Sequence, residues 1–401
     1  DLATYAHGTA VSLTATPTAT WVFAGWSGDT TGTTNPVSFV MTGNRTITAT
    51  FSQNTYVWNA TSGTAAFGTA ANWTPARTSP SATDVLVFSN GGSSTATGMT
   101  TQSIGKLVVS GNTAIALQAT SGATLTIAGV SGLDLSVASG STLTFSGTAA
   151  VTMVLPTGTS GAIAGTFSAL GAAHRLNALD AGSLLFTGGS VCSLGASFSG
   201  NIFGTGTGAS GLGSVLFQNG SLYTQAAGAN PFGASAPNAV VVFQAGSRFR
   251  LTGSGLTPAL AGRTYADFEI ANGGTINATG STAFNMDTLV VTSGTLNLNL
   301  TGGGSIRGDI RVASGATLGF APASGTPSFT LAGTTNQTVS VAGSFSSGTI
   351  PRLTVNNPGG VTLANSITWS GPVTFTAGVI HTGANTLTLG SASTVTGAGA
   401  A

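Results

Sequence analysis

The chain has 401 residues, of which 41% are hydrophobic and only 5% are charged, with a formal net charge of +1. This charged fraction is far below the usual quarter or so of residues, and no basic stripe is present that could neutralise nucleic-acid phosphates. Val, Ile, Leu, Thr and Phe alternate with small polar residues throughout, which is not the composition of a disordered chain. We therefore expect a folded, β-rich protein that does not bind nucleic acid.

The cysteine count and the length of the apolar runs limit the disulfides and membrane spans that this chain can form. Cys192 is the only cysteine, so an intrachain disulfide is excluded, and its neighbours SVCSLG indicate a buried structural thiol in a strand. No run of 18 apolar residues is present, so we expect no membrane span. No signal peptide is recognisable, and a chain that opens at Asp1 is expected to be a mature or trimmed segment.

Residues 1–52 are predicted to form a small β module. Three alternating runs are separated by turn residues at Pro17, at Gly28 and at Gly43. The pieces GTAVSLTATP, FAGWSGD, TNPVSFVM and NRTITATF resemble the divergent internalin-type B-repeat, a β-grasp-like module of bacterial surface proteins. The resemblance implies an extracellular, non-enzymatic module. Trp26 is interpreted as a strand-packing residue, with an exposed ligand-binding aromatic as the alternative.

Residues 53–103 are predicted to be a junction and an aromatic-rich N-terminal cap. Trp58, Phe67 and Trp73 form the densest aromatic group outside the first module, and prolines interrupt any long strand. A cap of this kind would cover the open edge and the apolar surface of a first coil. The order of WNA, NWTPARTSP and ATDVLVF resembles the start of passenger-like β-strand-repeat regions in bacterial surface proteins, including those of the Bacteroidetes type.

Residues 104–401 read as a quasi-repeat of short strands that end in glycine. The phrase Ser-Gly-x-Thr-Leu-Thr places Leu125 and Leu143 eighteen residues apart, and SVLFQNGSLY is echoed by VVVFQAGSRF twenty-six residues later. We predict a long right-handed parallel β-helix with coils of about 20 residues, stacked at roughly 4.8 Å, and on the order of 15 coils. A string of β-sandwiches is the alternative, but its regular domain-length repeats and linkers are missing.

Residues that could carry chemistry are sparse. No His, Cys or Asp group has metal-ligand spacing, and no nucleophile or phosphate-binding motif lies between a strand and a helix. We therefore predict no catalytic, cofactor-binding or metal-binding residue. The charged residues come closest together in one group, which is interpreted as a cross-strand ion-pair ladder if its strands stack. That group is Arg248, Arg250, Arg263, Asp267 and Glu269.

Threonine pairs raise a separate hypothesis, because Thr rows stacked in register form ice-binding faces on some solenoids. Here the pairs are irregularly spaced, so ordinary outward-facing strand threonines are favoured. The pairs are Thr124 with Thr126, Thr142 with Thr144, and Thr386 with Thr388.

These observations favour a non-enzymatic extracellular protein of the bacterial cell surface. It would act as a stalk, an adhesin or a subunit of a layer or filament, with further copies of itself or surface glycans as partners. The alternative is a polysaccharide-binding or polysaccharide-degrading β-helix. That alternative requires at least two converging acids and exposed rings, for which Tyr223, Tyr265 and Trp369 are the candidates.

Overall fold

The computed structural model describes residues 4–17, 21–52, 54–129, 132–206, 208–322 and 324–397. In these ranges the secondary structure is all β, apart from one 3₁₀ turn at Ala70–Asn72. The first four strands form a small module. They are β1 (Ala10–Leu13), β2 (Val22–Gly28), β3 (Val37–Val40) and β4 (Ile47–Ser52).

The module consists of two antiparallel strand pairs, β1 with β3 and β2 with β4. Its apolar centre is an aromatic group in which the Phe23 ring lies 5.0 Å from Trp26 and 6.1 Å from Phe51. Trp26 is buried, and its indole N–H donates to the carbonyl of Thr34 at 2.9 Å. The strand-packing interpretation of Trp26 is therefore confirmed.

The remaining strands are short and follow one another at turns. They are β5 (Asn54–Trp58), β6 (Ser62–Ala66), β7 (Trp73–Thr74), β8 (Asp84–Phe88), β9 (Ser93–Met99), β10 (Gln102–Ile104), β11 (Lys106–Val109), β12 (Ala114–Ala119), β13 (Ala123–Ile127), β14 (Leu135–Val137), β15 (Thr142–Phe145), β16 (Val151–Leu155), β17 (Gly161–Ile163), β18 (Thr166–Ala169), β19 (Arg175–Ala178), β20 (Leu184–Phe186), β21 (Val191–Leu194), β22 (Val215–Phe217), β23 (Leu222–Gln225), β24 (Val241–Phe243), β25 (Arg248–Leu251), β26 (Thr264–Ala278), β27 (Phe284–Leu298), β28 (Gly304–Ile306), β29 (Ile310–Val312), β30 (Thr317–Phe320), β31 (Ser328–Leu331), β32 (Gln337–Val341), β33 (Ser344–Ser347), β34 (Arg352–Asn356), β35 (Val361–Leu363), β36 (Ile367–Trp369), β37 (Val373–Ala377), β38 (Ile380–His381), β39 (Leu387–Leu389) and β40 (Val395–Thr396).

These strands stack as a parallel β-solenoid of about 13 turns. Face 1 begins with β5, β8, β11 and β14, face 2 with β6, β9, β12 and β15, and face 3 with β10, β13, β16 and β19. The long strands β26 and β27 each run across the corners between faces, and the strands from β28 onward continue the three ladders. Among the described strands of the solenoid, β7 is the one that pairs antiparallel, on the outer edge of β5. The predicted parallel β-helix is confirmed.

The coil length differs from the expected repeat. Phe249 stacks on Phe268, 19 residues later, whereas Cys192 stacks on Tyr223, 31 residues later. The turns therefore vary in length, because loops of different lengths are inserted between strands that stay in register, and their number of about 13 agrees with the predicted order of 15.

One of the two sequence echoes marks the coil and the other does not. Phe217 pairs with Phe243, so the twenty-six-residue echo is one complete turn. In contrast, Leu125 lies on face 3 opposite Met153, and Leu143 lies on face 2 between strands β12 and β18. The eighteen-residue spacing was wrong as a coil length. The phrase Ser-Gly-x-Thr-Leu-Thr is compatible with a strand on any face, as long as the strand follows a glycine turn and alternates between inward and outward side chains.

The core runs without a break along the solenoid axis, and its centre is filled by two aromatic ladders. On face 1, ring centroids are 4.4 Å apart between Phe186 and Phe217, 5.2 Å between Phe217 and Phe243, and 5.6 Å between Phe243 and Tyr265. On face 2, Tyr223, Phe249 and Phe268 stack in the same way. Parallel in-register strands place equivalent side chains directly above one another, which is why the rings stack.

Removing a ring from the middle of the face 1 ladder should be costly. We expect Phe217→Ala to lower the free energy of unfolding by about 3–5 kcal/mol, since the ring is fully buried and its neighbours cannot fill the cavity. Chemical denaturation followed by circular dichroism measures the change. Leu212→Ala is the control, because Leu212 is 56% exposed; an equal loss in the two variants would contradict the expectation.

Candidate functional site

The first coils at the N-terminal end of the solenoid contain an aromatic cluster around a buried ion pair. The rings of Trp58 and Phe67 pack against Trp73 with centroids 4.9 and 5.4 Å away. Arg77 lies over the Trp73 ring, and its Nε donates to Asp84 Oδ2 at 2.7 Å. A fully buried pair of this kind holds its partners in one geometry, since breaking it would leave an uncompensated charge.

The predicted cross-strand ion-pair ladder is present on face 2. Arg248 and Arg250 of β25 lie opposite Asp267 and Glu269 of β26 in the strand register. Arg250 Nε donates to Glu269 Oε2 at 2.8 Å, and Arg248 lies 3.6 Å from the same oxygen. The second oxygen, Oε1, accepts a hydrogen bond from Thr292 at 2.8 Å. Glu269 therefore accepts hydrogen bonds from the coil before it and from the coil after it, and it links the strands β25, β26 and β27.

The same side of the solenoid carries two further ion pairs in the next coils. Arg307 donates to Asp287 at 2.8 Å, and Arg311 donates to Asp309 at 2.8 Å. The Asp309 carboxylate also accepts from the backbone N–H of Thr338 in the following coil. Together with the ladder these pairs form a patch of alternating charge, in which the acids are neutralised by neighbouring arginines.

Two other acids accept hydrogen bonds from backbone N–H groups at the corners of the coils. Asp180 accepts from the N–H of Gly158, and Asp134 accepts from the N–H of Ser160. A carboxylate that receives backbone donors at a turn satisfies groups that no strand pairing reaches.

Arg263 lies apart from the ladder, although sequence reasoning had grouped it there. It donates to the backbone carbonyls of Ala234 and Asn238 in the preceding loop, and its guanidinium lies 4.4 Å from the centre of the Phe232 ring. Arg263 is only 6% exposed. Burial lowers the pKa of Arg263 from its ordinary value. No carboxylate of the described residues forms an ion pair with it.

His174 has its tautomer set by two backbone groups. Its Nδ1 accepts the N–H of Val151 at 3.0 Å, so the proton is on Nε2, which donates to the carbonyl of Leu170 at 2.8 Å. The imidazole replaces a strand carbonyl at the start of β19. Burial lowers the pKa of His174 below 6.5, because the charged form loses its hydration. Sequence reasoning did not assign this role, since nothing local marks it.

Cys192 is fully buried, as predicted, and burial raises the pKa of its thiol. Its position on face 2, between Phe167 and Tyr223, makes it a core residue.

The three rings proposed for stacking against sugars lie inside the solenoid. Tyr223 and Tyr265 belong to the aromatic ladders, and Trp369 packs against Phe320 at 5.5 Å. All three are at most 1% exposed. They fill the core and offer no platform to a polysaccharide.

The longest row of threonines in the described residues does not include the threonine pairs identified from sequence. A row on face 1 runs through Thr330, Thr354, Thr374 and Thr396, which are register partners in successive coils. The neighbouring row contains Arg352, so the threonines form a single column and not a two-column face. Their in-register stacking depends on coil length, which the sequence did not reveal.

In the part of the chain that the structure covers, no group of three or more His, Cys, Asp or Glu is arranged to hold a metal ion. Nor does that part contain a helix of the length and apolarity that a membrane span requires.

Comparison with known proteins identifies only the N-terminal module. Residues 2–55 match the family described as the divergent InlB B-repeat domain. The module is thus similar to a B-repeat, in agreement with the resemblance carried by its sequence. No curated protein and no solved structure matches the chain. The resemblance of the following region to passenger-like repeats of the Bacteroidetes type stays a prediction.

Stability should depend on pH through His174. Because its pKa is lower in the folded protein, the unfolded chain binds a proton first as the pH falls below about 6.5. The stabilisation is therefore complete above that pH and is lost below it, by at most about 1.4 kcal/mol per pH unit. Denaturation curves at about pH 7 and pH 5.5 measure the loss.

His174→Asn should remove this dependence, and His381→Asn should retain it because His381 is exposed. An unchanged dependence in His174→Asn would refute the assignment.

Proposed function

We propose that this protein is a non-enzymatic structural or adhesive protein of the bacterial cell surface, in which the solenoid is a rigid spacer. The observation that carries the proposal is the single core that continues through the whole stack of coils. Each coil buries its apolar face only against its neighbours, so the body resists bending and its length scales with the number of coils. About 13 turns at roughly 4.8 Å correspond to a rod of about 60 Å.

The N-terminal module supports an extracellular location, because it matches a domain type of surface proteins. The surface of the solenoid supports the same assignment. It is coated mainly by Ser and Thr hydroxyls and small residues, with little charge to oppose close contact. We therefore expect a stalk, an adhesin or a subunit of an extracellular layer or filament.

The side chains also favour a structural role over catalysis. In the described part of the chain, the acids of the charged patch are paired with arginines, and the candidate sugar-stacking rings are buried. We expect no enzymatic activity. Polysaccharide degradation and ice binding have less support from these side chains than the structural role has.

Copies of the protein are proposed to associate end to end. In the described residues, β6 at one end and β38, β39 and β40 at the other each pair with a strand on one side only. Val379, Leu389 and Val395 are exposed near the second end. Strand edges with exposed apolar residues favour pairing with another chain.

A spacer should tolerate the loss of one complete coil. Thr142 and Thr166 are register partners, so deletion of residues 142–165 joins Ser141 to Thr166 and removes a single turn. We expect the variant to fold, to shorten by roughly 4.8 Å in small-angle scattering, and to remain labelled by antibody on intact producing cells.

Deletion of residues 142–153 is the matched control, because it breaks the register and should prevent folding. If the whole-coil deletion also fails to fold, the coils are not interchangeable units and the spacer proposal is lost.

End-to-end association should increase with concentration and depend on the exposed edge. Light scattering of the purified chain is expected to show growing assemblies, and Leu389→Lys with Val395→Lys should suppress them by placing charge on the edge. Leu212→Lys is the control, since Leu212 is exposed in the middle of the solenoid. A monodisperse monomer at high concentration would rule out this mode of assembly.

A further inference from the structure

A groove on face 1 combines a buried arginine with exposed polar and apolar walls. It has a volume of about 430 Å³ and lies between the loop before β24 and the first residues of β26 and β27. Its walls include Pro237, Val242, Arg263, Thr264, Thr282 and Asn285. We refer to these six residues as the Arg263 groove.

The charge in this groove is not balanced by the protein. The other arginines of the neighbouring coils pair with carboxylates, as Arg250 pairs with Glu269 and Arg307 with Asp287. Arg263 is more than nine-tenths buried, and among the described residues its contacts are two neutral carbonyls and an aromatic ring. A buried cation without a counter-ion is costly, and an anion that enters the groove would relieve that cost.

Arg263 also has donor capacity left. Its two hydrogen bonds to Ala234 and Asn238 use two of the five N–H groups that a guanidinium carries. The planar fork of a guanidinium matches the two oxygens of a carboxylate better than a single point charge would.

The other walls fit a sugar ring rather than a simple anion. Thr264 and Thr282 are exposed, and Asn285 is half-buried, so their hydroxyl and amide groups can exchange hydrogen bonds with hydroxyls. Pro237 and Val242 are exposed apolar residues on the same groove and can cover the C–H face of a ring. The volume is within the range of pockets that hold small organic ligands.

From these features we propose that the Arg263 groove binds the carboxylate-bearing sugar residues of an acidic polysaccharide. Arg263 holds the carboxylate, Asn285 and the two threonines bind sugar hydroxyls, and Pro237 with Val242 contacts the ring. A single copy of the protein contains the whole site, so ligand binding does not require end-to-end assembly. The site gives the protein a specific ligand in addition to the proposed role of the solenoid as a spacer.

Isothermal titration of the full chain with a short oligogalacturonate is the test, with a neutral oligoglucose and acetate as comparison ligands. We expect the oligogalacturonate to bind and the neutral oligosaccharide not to bind. Binding should weaken as salt is raised, since the contact is ionic. No binding of the oligogalacturonate would overturn the proposal, and acetate binding as tightly would overturn its sugar component.

Variants locate the binding in the groove. Arg263→Gln should weaken binding about tenfold or more, because it removes a charge-assisted hydrogen bond. Arg352→Gln should leave binding unchanged, since Arg352 is exposed on another coil of the same face. Equal affinity in Arg263→Gln and the parent chain would refute the site.

Arg263 also anchors a loop, so Arg263→Gln is first checked for an unchanged circular dichroism spectrum and melting temperature. Asn285→Ala combined with Thr264→Val gives a second test that leaves the loop contacts of Arg263 in place. We expect this pair to weaken binding several-fold. Unchanged binding in that double variant would refute the assigned sugar contacts even if Arg263→Gln fails to fold.

Discussion

The register between successive coils is the constraint on which the whole solenoid depends. Each inward side chain lies directly above and below its equivalents, so its size has to suit the residues one turn away. Gly304 illustrates this, because it pairs between Phe284 and Phe329, and a Cβ atom at Gly304 would collide with the Phe284 ring. Gly161 occupies a similar position between the side chains of Leu135 and Leu184. At these two positions a glycine therefore leaves room for the larger side chains above and below it, as close packing requires.

Loops vary freely as long as they return the chain to that register. Among the described residues, no strand of face 3 directly follows β21 or β23, and a loop supplies the core residue of that face instead. Asn201 accepts the N–H of Phe203, and Asn230 accepts the N–H of Phe232, so each amide fixes a tight turn that sends a ring inward. The second of these loops is the one that Arg263 clamps. The candidate ligand site is thus a consequence of replacing a strand by a loop.

The chain has few charged residues, and several of them form ion pairs that link parts of the fold. Arg248, Arg250 and Arg307 each form an ion pair with an acid of the adjacent coil, and these pairs join two turns across their outer surface. Arg77 and Asp84 form a buried ion pair within the cap. Arg263 differs from these residues, because it is buried and no carboxylate of the described residues forms an ion pair with it.

Much of the architecture followed from the sequence, because alternation and glycine turns are local properties. They identified the strands, the aromatic-rich segment around Trp58 and the stacked echo that ends in Phe217 and Phe243. The ladder between Arg250 and Glu269 was also predictable, since both residues face outward on strands expected to stack.

Only the tertiary structure decided which strands are neighbours. Coil length depends on how each loop closes, and no local pattern records it. This is why Leu125 and Leu143 proved to lie on different faces, and why the single column of face 1 threonines was missed. The same reason separates Arg263 from the ladder and places it against Phe232, more than thirty residues earlier in the chain. Short-range chemistry determined that this chain forms strands and turns, whereas long-range packing selected the partners of each side chain and created the groove.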